Sequence, residues 1–448
     1  MADWLIKSAE LVNAGRRFQA DLRIRGQRIA EIGGDLAAHA GERVFDASGL
    51  WLVPGMIDDH VHFREPGYTA KADIASESRA AVAGGVTSFI DMPNTKPATL
   101  THTLLEDKYA IASRTSLANY AFYFGASNDN LDAIRALDPH KVPGVKVFLC
   151  ESTGNLCVND PDALEGVFRD APVTVVVHCE DSHTIHANLD RAKAEHGNAI
   201  PMWLHPEIRS REACFESTKW AVETARRHGT RLHVLHVSTA DELSLFEPGP
   251  ISNKSITAET CVHFLRFSDA DYARLAGRIK CNPAIKAASD REALTRALAE
   301  TRIDILATDH APHLESEKAN PYTSCPSGIP LVQFALQTAL EGVFRGDFTL
   351  ERLVEAYAHA PATLFRIVDR GFLREGFFAD LALIDPASPQ TVRREDVLSK
   401  CGWSPFEGET FHSSIAAAFV NGELAARHGK VLDAPPGMRL AFDRPGNR

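Results

Sequence analysis

The chain has 448 residues, 44% hydrophobic and 24% charged, with a formal net charge of -11. Such a composition belongs to a soluble globular protein with a large core, and its acidic balance argues against a nucleic-acid partner, which needs a basic face, though not against an anionic substrate in a locally positive site. No run approaches the roughly 20 apolar residues of a membrane span, the start MADWLIKSAELVNAGRRF lacks signal-peptide character, and eight cysteines without a CxxC pair read as reduced buried thiols of a cytoplasmic enzyme.

Residues 1–52 alternate apolar and polar side chains in LIKSAELVN, ADLRIRGQRIAEIG and RVFDASG, between Gly and Asn breaks, which predicts short strands. From residue 53 the pattern changes. Eight short apolar runs follow: GMIDDHVHF (55–63), VTSFIDMP (86–93), NYAFYFGAS (119–127), GVKVFL (144–149), VTVVVHCE (173–180), RLHVLHVS (231–238), SITAETCVHFL (255–265) and DILATDHAP (304–312). The stretches between them are rich in Ala, Glu and Arg at helical spacing. Eight strand–helix units predict an α/β fold, a (β/α)8 TIM barrel over residues 53–372. Alternation returns from 373 in GFFADLALIDP and SSIAAAFVNGELAARHGKVL, with Asn421-Gly422 as a hairpin signal. The two ends, 1–52 and 373–448, are expected to join in one small β-sandwich domain.

Barrel enzymes place their chemistry at the C-terminal ends of the strands. The first run ends in Asp59-His60-Val61-His62, and residues i and i+2 of a strand share a face, so both imidazoles aim at the barrel mouth. The fourth run carries Lys146, the fifth ends in His178, the sixth in His236 and the eighth in Asp309. Singly, each has a plain explanation. An HxH pair occurs in cores and on surfaces, a strand-end His is usually a hydrogen-bonded core residue, as expected for His233 and His263, and Asp309 suits a helix N-cap. Four histidines and an aspartate at one level of one barrel form a metal-ligand set, best suited to zinc and also open to manganese or cobalt. Lys146, between Val145 and Val147, reads in two ways. It is a snorkelling or ion-paired lysine, or its amine has taken up carbon dioxide, giving a carbamate that bridges two metals about 3.5–4 Å apart.

DHVHFREPG, IDMPNT, GVKVFL, VVVHCED, LHVLHVST, KCNPAIK and ATDHAPH together resemble the cyclic amidohydrolases, most closely the dihydroorotases among them, over nearly the whole chain. The resemblance implies two divalent metal ions, Zn2+ first among them. His60, His62 and Asp309 would hold one and His178 and His236 the other, with Lys146 as its carbamate and a hydroxide between them. It implies reversible closure of N-carbamoyl-L-aspartate to L-dihydroorotate plus water, a step of pyrimidine biosynthesis, with Asp309 as the catalytic proton carrier. Arg64, Asn94, Asn282 and His313 fall at substrate-contacting positions, where a carboxylate wants a planar cation and polar donors. Allantoinases typically carry Asn where Arg64 stands, and hydantoinases lack the REPG run. The family further implies a homodimer, and in some members dependence on aspartate carbamoyltransferase, which nothing in this sequence indicates. The segment CESTGNL departs from the family pattern and gives Glu151 and Thr153 no role. The polar, breaker-rich HLESEKANPYTSCPSG after Asp309 reads as a flexible loop closing over substrate.

Overall fold

A computed structural model of the chain describes residues 3–150 and 156–443. Glu151 and Thr153 lie outside the described residues. The eight apolar runs form strands in chain order: Met56–Val61, Val86–Asp91, Asn119–Phe122 continued by Phe124–Gly125, Gly144–Phe148, Thr174–His178, Leu232–Val234, Ile256–Cys261 and Ile305–Ala307. Neighbours pair in parallel, and a bridge from Val61 to His310 joins the first strand to the exit of the eighth. The barrel is thereby closed and leaves no sheet edge.

The connecting helices begin where a short polar side chain can satisfy their first free amides. Asp73, Thr101, Asp160, Asp181 and Ser210 each accept such an N–H. Inside the barrel, Ile57, Ala121, Tyr123, Val176 and Ile305 pack on Phe365, Leu440 and Phe442. This apolar plug fills the barrel beneath the polar groups at the strand ends.

The chain ends meet in one nine-stranded sheet. Trp4–Asn13, Arg16–Arg25, Arg28–Gly33, Arg43–Asp46 and Trp51–Pro54 come from one end, and Leu381–Asp385, Ser414–Val420, Glu423–Arg427 and Lys430–Val431 from the other. The seam is Trp51–Pro54 against Leu381–Asp385, antiparallel, with Leu52 opposite Leu383. Trp4 and Phe419 sit three strand spacings apart, about 14 Å in a flat sheet. Their ring centroids are 5.4 Å apart. The expected sandwich is therefore a single sheet folded over its own core. Asn421-Gly422 makes the hairpin turn, with φ of 49° and 81°. Only glycine fits the second position, since a Cβ there would lie 2.1 Å from the Gly26 carbonyl oxygen.

Seven of the eight cysteines are buried, Cys157 is half-buried, and none forms a disulfide. No helix among the described residues is long and apolar enough to cross a membrane.

Candidate active site

The first strand reaches the mouth through a bulge. Asp58 pairs with Phe89 and Val61 with Asp91, so three steps on one strand oppose two on the other. Simple alternation would turn Asp59 away from the barrel whenever His60 points in. Here Asp59 also faces inward, its Oδ2 3.4 Å from the Nε2 of His233 on the sixth strand. His233 is the core residue expected, with its Nδ1 2.8 Å from the Thr257 hydroxyl.

His60 Nε2 and His62 Nε2 lie 3.2 and 3.0 Å from the same Asp309 Oδ1. On the other side, His178 Nδ1 and His236 Nε2 face each other at 2.8 Å. Lys146 is buried, and among the described residues its Nζ has no hydrogen-bond partner. Burial pushes its ammonium down to about 8. An orphaned amine beside five converging ligand atoms is a costly arrangement for a protein without a cation. The donor set, imidazoles with one carboxylate and a lysine able to become a carbamate, fits a pair of divalent metals. Burial alone would raise the Asp309 carboxyl, but His60 and His62 outweigh it and hold Asp309 well below the ordinary carboxylate range.

Each of three imidazoles is aimed by a hydrogen bond at its far nitrogen. His60 Nδ1 meets Glu259 Oε1 at 2.9 Å, His62 Nδ1 meets Asn94 Oδ1 at 2.8 Å, and His178 Nε2 meets Glu180 Oε2 at 2.9 Å. Such partners fix the tautomer and leave the opposite nitrogen free for a metal. Burial would raise Glu180, yet Arg209, hydrogen-bonded to it, and His178 hold it at about 2. Glu259→Gln keeps the shape and removes the charge behind His60. It is expected to weaken metal binding about 10–100-fold, measured by competition with a chelator, with the thermal unfolding curve as the control for folding.

Three residues of the mouth hold left-handed backbone without being glycine: Arg64, His236 and Asp309, with φ of 68°, 40° and 49°. Each costs of order 1 kcal/mol or more. Such strain persists where the surrounding structure fixes the direction of a side chain.

The ten residues singled out in the sequence all border one cavity of about 350 Å³: His60, His62, Arg64, Asn94, Lys146, His178, His236, Asn282, Asp309 and His313. Arg64 is 4% exposed. Its Nε donates to the Pro312 carbonyl at 3.1 Å, and its Nη2 lies 3.0 Å from His313 Nε2. Among the described residues, no carboxylate oxygen comes within ion-pair distance of it. Burial lowers its guanidinium to about 10. His313, beside Arg64, Lys318 and Lys71, is pushed well below its ordinary value, first by burial and then by those cations. The Asn282 Oδ1 is buried without a partner. Asn94 departs from its expected role in one respect, since its Oδ1 is engaged by His62 and leaves only its Nδ2 hydrogens unused by the protein.

The cavity also contains residues the sequence did not single out. Arg209 stands in a helix-like stretch, and its ion pair with Glu180 is visible only in three dimensions. Pro326, Ser327 and Gly328 form another wall. They end the segment expected to be a flexible lid, and that segment is instead tied down. Lys318, Tyr322 and Cys325 are buried, and Lys318 donates to three carbonyls.

Residues 51–425 match the model of the amidohydrolase family. The chain belongs to that family. A dihydroorotase of Halobacterium salinarum is 36% identical over 397 residues, covering 87% of this chain and 89% of the relative. An allantoinase of Bacillus velezensis is 32% identical over 433 residues, covering 95% and 94%. The L-hydantoinase of Arthrobacter aurescens superimposes with a TM-score of 0.92 at 26% identity, covering 98% of this amidohydrolase and 100% of that chain. Relatives of three substrate preferences thus share the scaffold, and the choice among them falls to the cavity walls.

Proposed function

We propose that this amidohydrolase is a dihydroorotase that interconverts N-carbamoyl-L-aspartate and L-dihydroorotate plus water. The observation that carries the reading is Arg64, a buried guanidinium with no carboxylate partner in a protein of net charge -11. Hydantoin and allantoin offer it no carboxylate. Dihydroorotate and carbamoyl-aspartate do, and a planar guanidinium binds one bidentately.

His60, His62 and Asp309 would hold one divalent ion, His178 and His236 a second, and the Lys146 carbamate would join them, with zinc the metal proposed. When bound, the pair lowers the pKa of a water and polarises the carbonyl under attack. Asp309 accepts the proton of the attacking water and returns it to the departing ring nitrogen, acting as base and then acid. In ring closure the same carboxylate takes the nitrogen proton and gives it to the leaving oxygen. Arg64, Asn282 and the Nδ2 of Asn94 orient the substrate, which contributes proximity rather than proton transfer.

An assay of dihydroorotate beside hydantoin and allantoin tests the substrate directly. Faster turnover of either neutral ring would sink the proposal. Arg64→Met is expected to lower kcat/KM for dihydroorotate by about 10²-fold or more, the scale for unpairing a buried charge, with bound metal unchanged by elemental analysis.

A further inference from the structure

Two buried lysines hold the wall formed by the segment after the eighth strand. Lys318 ends the short helix Glu315–Lys318 and is 2% exposed. Its Nζ donates to the carbonyls of Lys280, Pro326 and Gly328, each at 2.8 Å. An ammonium has three hydrogens, so all are engaged. Lys280 donates to the carbonyls of Tyr322 and Cys325. Among the described residues neither lysine has an ion-pair partner. Burial pushes the Lys318 ammonium down to about 7; the Cys325 and Cys281 thiols oppose the shift, while Lys280 and Arg64 add to it. A methionine would fill the same space without that penalty. What the ammonium adds is three directed bonds from one point.

Those bonds join two walls of the cavity. Lys280 stands two residues before Asn282, and Pro326 and Gly328 flank Ser327; Asn282 and Ser327 both border the cavity. The Gly328 N–H donates to the Lys280 carbonyl at 2.9 Å, and the Ser327 carbonyl accepts from His313 Nε2 at 3.0 Å. Gly328 has a φ of 143°, and a Cβ there would stand 2.5 Å from the Ala311 carbonyl oxygen. The turn is pressed against the exit of the eighth strand.

We propose that Lys318 is a substrate-positioning residue whose ammonium sets the separation of the Asn282 wall from the Ser327–Gly328 wall. The inference rests on the cavity being the dihydroorotate site. It assigns Lys318 no part in proton transfer and no contact with the metals.

Lys318→Met removes the three bonds and keeps the volume. The KM for dihydroorotate is expected to rise at least tenfold, with kcat changed less than threefold and bound metal per chain unchanged. Lys280→Met cuts the bonds to Tyr322 and Cys325, which lie off the cavity. It is expected to lower Tm comparably while moving KM less than threefold. An unmoved KM in Lys318→Met, or equal rises in both variants, would overturn the proposal, because the lysines would then serve stability alone. If Lys318→Met does not accumulate, hydrogen exchange at the Gly328 amide of the wild-type enzyme decides. Saturating dihydroorotate should slow it at least tenfold, and unchanged exchange overturns the proposal. Wild-type turnover separates the two readings. No turnover of dihydroorotate sinks the proposed function, whereas turnover with an unmoved variant KM sinks only the role of Lys318.

Discussion

Asp309→Asn is expected to cut turnover by at least about 10³-fold in both directions, the scale for removing a positioned acid–base group. The substitution keeps the shape beside His60 and His62, whose Nε2 atoms lie 3.2 and 3.0 Å from Oδ1. An amide cannot accept a proton and return it. Ring opening and ring closure should fall by the same factor, since the equilibrium between substrates is untouched. Asp309 also stands among the proposed metal-binding donors, so the measurement pairs kcat with bound metal. If excess zinc restores near-normal turnover, Asp309 is a ligand only and the proton-transfer role is lost.

Lys146→Met should have the second large effect. It replaces a buried amine of the cavity, without a hydrogen-bond partner among the described residues, with a side chain of similar size unable to form a carbamate. Bound metal is expected to fall from two ions per chain to one or fewer, and turnover by orders of magnitude, read by elemental analysis and assay on the same sample. Carbon dioxide adds only to a neutral amine. With the Lys146 ammonium lowered to about 8, the neutral fraction grows as pH rises toward 8 and falls as pH drops below it. Metal reconstitution of the stripped wild-type enzyme should therefore be faster at pH 8 than at pH 6, and should require bicarbonate. Reconstitution indifferent to both would remove the carbamate from the mechanism.

Much of this site was legible because a barrel converts eight strand ends into one ring. With the runs that carry His62, His178, His236 and Asp309 as the first, fifth, sixth and eighth strands of one barrel, their convergence follows from topology. The hairpin at Asn421-Gly422 was legible for a local reason, the need for positive φ at both positions. The bulge that brings Asp59 inward was not, because a register slip depends on the partner strand Val86–Asp91 and leaves no mark in MIDDHV. Arg209 was hidden for a similar reason, since its meaning lies in Glu180, 29 residues away. The segment from Leu314 to Gly328 misled in the opposite sense. Its polar residues and breakers suggested mobility, but Lys318 turns inward and satisfies three carbonyls that water would otherwise solvate.

The seam between Trp51–Pro54 and Leu381–Asp385 has a consequence in time. Leu52 and its partner Leu383 are about 330 residues apart, which at 5–20 residues per second of synthesis is roughly 20–70 s between the emergence of one and the other. Throughout that interval the N-terminal strands exist without the strand that completes their sheet, and the Trp51–Pro54 strand lacks its partner on that side. The barrel can assemble as its units appear, but the Trp51–Pro54 strand, made before them, is secured on that side only after them. Nascent chains are therefore open to wrong strand pairing at the Trp51–Pro54 edge, and a ribosome stalled before residue 381 presents that edge for as long as it waits.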